Sequence, residues 1–135
     1  MPPMHVNPLA IVMAAAATFL IGMLWYSPLL FARSWVALNG YTPEKLAELR
    51  QRAPRAYGIS FLCYLVLAFG IGLMVHGEPV GFGALRAVHL WVLIVMPVSL
   101  TALVFSDKRF GAWLIDALYQ FVYFAAMGAI LARWG

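Results

Sequence analysis

Charge is what this sequence has least of. Only 10% of its 135 residues are Asp, Glu, Lys or Arg, against a hydrophobic share of 64%. Soluble domains carry about 25% charged residues, and a short chain buries the smallest fraction of its surface. A soluble enzyme, a disordered tail and a nucleic-acid-binding module are therefore excluded as readings. Cysteine is nearly absent too: Cys63 stands alone inside an apolar run, so there is no internal disulfide and no CxxC metal or redox motif. Catalytic signatures are missing as well, with no GxSxG, HExxH, GxxxxGK[ST] or GxGxxG and no carboxylate cluster suited to two-metal chemistry.

What is there is hydrophobic length. Four apolar stretches reach the roughly 20 residues needed to cross a bilayer, at about 9–26, 57–75, 87–105 and 112–132. They are continuous and show no period-two alternation, which favours helices over barrel strands. The expected fold is all-α: a four-transmembrane-helix bundle forming one integral membrane domain. No Lys or Arg precedes the first stretch, and Arg33 follows it. That reverses the polarity of a secretion leader, so the stretch reads as an uncleaved helix.

The few charges set an orientation. Arg33, Lys45, Arg50, Arg52, Arg55, Lys108 and Arg109 fall in the first and third loops, and only Arg86 and Arg133 on the other side. The positive-inside rule then puts both loops in the cytoplasm and both termini outside, in a bacterial inner membrane. Trp25, Trp35 and Trp113 are expected at the inner interface, and Trp91 and Trp134 at the outer one. The first loop has its own helix signals: Thr42 as N-cap, Pro43 at the first helical position and Glu44 in the first turn. Leu46, Leu49 and Ala53 share a face, and Pro54 is expected to end the segment. The expectation is a short amphipathic interfacial helix over about 43–53, lying on lipid or docking a partner.

The block Trp25-Tyr26-Ser27-Pro28-Leu29-Leu30-Phe31, followed by Trp35 and Leu38-Asn39-Gly40, resembles the signature of the bacterial family called domain of unknown function 1761. Ile115, Tyr119, the run Gly128-Ala129-Ile130-Leu131 and Trp134 extend the resemblance over nearly the whole chain. It implies a small four-helix membrane protein and assigns no activity. Two positions depart from the family pattern: Asp116 stands where Asn is common, and Gln120 where His is common.

Asp116 is the first candidate for function, because an ionisable residue inside a span is costly and turns toward the bundle interior. Gln120 and Tyr123 follow at i+4 and i+7, with Tyr119 at i+3, giving the last helix one polar stripe. Ser60, Cys63, Tyr64 and Thr101 are expected at similar depth, forming an intramembrane polar cluster. The preferred role is interhelical glue, with Asp116 protonated, bonded to hydroxyls, or paired with Arg33 or Arg55; proton or ion coupling is the alternative.

His76, Glu78, Arg86 and His89 gather on the outer side, and the three potential ligands His76, Glu78 and His89 are the only candidates for a metal site. Their spacing matches no zinc signature, and paired haem histidines would sit at the surface, so no metal or cofactor is expected. Trp25, Tyr26, Ser27 and Pro28 are read as an interfacial anchor and fixed turn, the alternative being a substrate portal at Ser27. Pro97 is expected to kink the third span, its freed carbonyl re-satisfied by Ser99 or Thr101. Ala14, Thr18 and Gly22, and likewise Ala125 and Ala129 with Gly128 and Ala132 beside them, offer small-residue faces for close packing within or between chains.

The function these features favour is a structural, sensory or accessory subunit without enzymatic activity, with membrane lipids and possible further copies of itself as partners. The alternative is an oligomeric transporter or channel lined by Asp116, Gln120 and Tyr123.

Overall fold

The computed structural model describes residues 5–135, all helix and connecting turns. Among these residues five helices follow one another: α1 Pro8–Trp25, α2 Ala32–Asn39, α3 Pro43–Val75, α4 Val80–Val104 and α5 Phe110–Trp134. All but α2 are long and apolar enough to cross a membrane, which makes this a four-helix bundle of the expected class.

Alanine predominates among the fully buried residues, with Val75, Met127 and Leu131 beside it, while many large apolar side chains face outward. Ala10, Ala14, Ala15, Ala68, Ala87 and Ala112 are fully buried, whereas Val66 and Leu93 are 73% and 71% exposed. In water that distribution would be unstable. Against lipid, helices gain nothing by hiding leucine and gain contact by letting small residues meet. The extreme case is the crossing of α4 and α5, where Gly83 and Gly128 lie backbone to backbone, with Ala87 and Ala132 filling the adjoining turns. The chain ends of the bundle are tied as well: Asn7 caps α1 by accepting from the Leu9 amide at 3.0 Å and donates to the Trp134 carbonyl at 3.1 Å.

Three features differ from the sequence expectation. The segment at 43–53 is helical and capped by Thr42, whose hydroxyl accepts from the Lys45 amide. It does not stop at Pro54, however; α3 runs unbroken through it for 33 residues. Proline deprives the Arg50 carbonyl of its partner, and that stretch is exposed, so the carbonyl is open to solvent. The amphipathic segment is thus the polar extension of a span and not a separate helix. Replacing Pro54 with alanine restores the missing bond. Slower amide hydrogen exchange over residues 44–54 is expected, with melting unchanged or raised.

The second difference is α4, which begins at Val80, well before the expected 87. Trp91 therefore sits near mid-helix, 8% exposed, and not in an outer interfacial belt. The third concerns Pro97. The helix answers it with a π-helical turn over Trp91–Val95, in which the Met96 amide reaches back to the Trp91 carbonyl. Thr101 then donates to the Pro97 carbonyl at 2.8 Å.

Candidate functional site

The link from α1 to α2 brings the site together. Pro28 follows the end of α1, and Ser27 caps that end by donating to the Leu24 carbonyl at 2.6 Å. The Phe31 amide folds back onto the Trp25 carbonyl at 3.1 Å, and the Phe31 ring lies 4.8 Å from that of Trp25. α2 then ends at Asn39, and Gly40 takes a φ of 69°, the left-handed conformation that glycine adopts without cost. Leu38, from the same turn, rests on Gly111 at the start of α5.

This turn aims two neighbouring side chains at two neighbouring residues of α5. Trp25 Nε1 donates to the Ile115 carbonyl at 3.0 Å, and the Tyr26 hydroxyl donates to Asp116 Oδ1 at 2.5 Å. The other carboxylate oxygen, Oδ2, accepts from Lys108 Nζ at 2.6 Å. Lys108 reaches it because Ser106 shapes the preceding loop, donating to the Leu103 carbonyl and accepting from the Lys108 amide. Asp116 lies less than two turns inside α5, so a lysine just before the helix spans the distance. The Asp116 side chain is 25% exposed and both of its oxygens are engaged. The carboxylate therefore ties α1, the α4–α5 loop and α5 to one point, with its charge matched.

A layer of aromatic hydroxyls packs beneath this clamp. Tyr26 meets Tyr119 edge-to-face at 5.4 Å, and Tyr119 meets Tyr123 at 4.8 Å. Tyr64 of α3 stacks on Tyr123 at 5.4 Å and sets its hydroxyl 3.4 Å from that of Tyr119. Tyr119 in turn donates to the Thr18 carbonyl at 2.8 Å, filling the space left by Gly22. Beside these rings a cavity of about 760 Å³ opens between α1, α2 and α3, with Trp35 and Arg50 among its walls.

The expected polar cluster is thus assembled in part. Asp116, Tyr119, Tyr123 and Tyr64 share one region, and Ser60 lines the adjoining cavity. Gln120 belongs elsewhere: its Oε1 accepts from Trp91 Nε1 at 3.1 Å, joining α5 to α4. Thr101 is exposed and bonded only to its own helix, because the turn after Pro97 points it outward. Asp116 pairs with Lys108, not with Arg33 or Arg55, and Tyr26 is the partner that sequence reasoning missed. Its presence in the Trp-Tyr-Ser-Pro block was the available signal, but nothing local links it to a residue 90 positions later.

The outer group remains dispersed. Arg86 binds the Met74 carbonyl at 2.9 Å and Glu78 at 3.4 Å, and His89 Nδ1 donates to the Leu85 carbonyl at 2.8 Å. Among the described residues no three His, Cys, Asp or Glu side chains gather as metal ligands.

The pairing of the Trp25-Tyr26 block with Ile115-Asp116 joins the two sequence regions that carry the family resemblance. The sequence matches the family described as a protein of unknown function, DUF1761, over residues 9–132. The chain belongs to that family. No curated protein and no solved structure matches it. In this DUF1761 member the signature block has a physical role, since the clamp fixes the α1–α2 turn against the last helix.

Proposed function

We propose that this DUF1761 protein is a non-catalytic subunit of the bacterial inner membrane, with a structural, sensory or accessory role and no conduction of its own. The observation that carries this reading is the double engagement of Asp116 by Lys108 and Tyr26. A carboxylate whose charge is matched and whose two oxygens are each bonded is suited to fasten helices together. Farther along α5, Met127 and Leu131 are fully buried in the same apolar core as Val75, and Gln120 is held by Trp91. Among the described residues, the polar groups beneath Asp116 end at Tyr119, Tyr123 and Thr18, and the apolar core of Val75, Met127 and Leu131 lies beyond them. The distribution of Lys and Arg supports an orientation with both termini outside and the clamp near the cytoplasmic face.

The test is proton flux into pyranine-loaded proteoliposomes under an imposed pH gradient. Wild type and Asp116→Asn are both expected to match empty liposomes. Flux in the wild type that disappears in a folded Asp116→Asn protein would establish the transporter reading instead.

A further inference from the structure

The cavity beside the clamp is a groove, and its walls are chemically graded. Leu46, Leu49, Ala53, Tyr57, Ser60 and Tyr64 recur along one stripe of α3 at helical spacing, and all of them line it. Opposite stand α2 and the end of α1. Its deep end is aromatic: Phe19 lies 6.1 Å from the Tyr57 ring and 5.4 Å from the Tyr64 ring. Toward the other end, flanked by Leu46 and Leu49, is Arg50, the only charged residue in the lining among the described residues.

Helical rise gives these positions depth. The apolar part of α3 begins near Tyr57, so Arg50 stands seven residues outside it and Tyr64 seven residues inside, about 10 Å each way. A bilayer has about 15 Å of hydrocarbon per leaflet, with a headgroup layer of about 5–8 Å beyond it. Arg50, with its long flexible stem, thus reaches headgroup level, and the aromatic end lies at acyl-chain level. The volume of about 760 Å³ falls within the ordinary range for small-molecule sites.

Charge selects the occupant. Among the described residues, the lining offers a guanidinium and several hydroxyls and contains no carboxylate. Neighbouring Arg33, Lys45, Arg52 and Arg55 outnumber Glu44 and Glu48 in the same stretch, so the field at the mouth is positive. We propose that this groove holds one anionic phospholipid of the surrounding leaflet, its phosphate on Arg50 and an acyl chain along Phe19, Tyr57 and Tyr64. A guanidinium binds phosphate through paired charge-assisted hydrogen bonds, and the groove supplies the apolar contact for the chain. This inference goes beyond the proposed function and stands without it, because it uses none of the clamp's bonds.

Native mass spectrometry of the full chain, released from nanodiscs of phosphatidylcholine with a minor fraction of phosphatidylglycerol, tests it. One phosphatidylglycerol is expected to remain on each chain, enriched roughly fivefold or more over its share of the disc. Arg50→Gln removes the enrichment. Arg52→Gln, whose parent side chain pairs with Glu48 at 3.4 Å, leaves it intact. Ala53→Trp and Ser60→Trp each fill the groove from α3 and are expected to lower retention of both lipids. Equal retention of the two lipids by wild type overturns the proposal, as does an Arg52→Gln loss equal to that of Arg50→Gln. Undiminished binding in either folded tryptophan variant places the lipid outside the groove and overturns it too.

Discussion

Replacing Gly128 with alanine is expected to destabilise the bundle, as is the same change at Gly83 on the facing helix. Alanine is normally the better helix former by about 1 kcal/mol, so in an open position the change stabilises. At Gly128 the added carbon lands on the Gly83 carbonyl oxygen and 2.7 Å from the Ala87 methyl. Neither neighbour is a flexible side chain that can swing away. α4 and α5 must separate, because the obstacle at this crossing is backbone. Overpacking of this kind costs about 1–3 kcal/mol and more where backbone is the obstacle. Gly70 provides the control: it lies within α3, and a methyl there meets nothing within 4 Å. Melting in mild detergent is expected to fall for Gly128→Ala and to hold or rise for Gly70→Ala. A fall of the same size in both would mean that the crossing is not close-packed.

The second large effect is expected at Asp116. Substitution by alanine leaves Lys108 and Tyr26 without their shared acceptor at a partly buried point, which costs about 1–3 kcal/mol. Asparagine retains an acceptor for Tyr26 but turns an amide NH2 toward Lys108, losing that ion pair and keeping the interhelical bond, so a smaller loss is expected. Lys108→Gln should cost least, about 1 kcal/mol or below, since the lysine side chain is 38% exposed and its attraction is screened. Melting temperatures in the order Lys108→Gln, Asp116→Asn, Asp116→Ala, from highest to lowest, are the expected outcome. The reverse order would show that the charge, and not the hydrogen-bonded junction, is what the fold uses.

The parts of this architecture that depend on composition were readable in the sequence. Uninterrupted apolar runs mark the four spans, Thr42-Pro43-Glu44 marks the start of α3, and Ala14 with Thr18 marks a buried face of α1. What depends on tertiary context was not. Pro54 reads as a stop, yet exposure of the Arg50 carbonyl lets the helix pass through it. Trp91 reads as an interfacial anchor, yet α4 starts seven residues early and draws it inside to meet Gln120. The short helix α2 carries no apolar run to announce it. Asp116 was identifiable as the odd charge in a span, but its partners were not. Tyr26 is 90 positions away, and Lys108 comes within reach only through the turn built on Ser106.

A double-mutant cycle on Tyr26 and Asp116 tests the central claim, that Asp116 serves as a fastener between α1 and α5, most directly. Unfolding free energies are measured for wild type, Tyr26→Phe, Asp116→Ala and the double variant under one detergent condition. Removal of the tyrosine hydroxyl is expected to matter only while the carboxylate is present, giving a coupling of about 1 kcal/mol or more. Additivity of the two losses to within about 0.3–0.5 kcal/mol would contradict it.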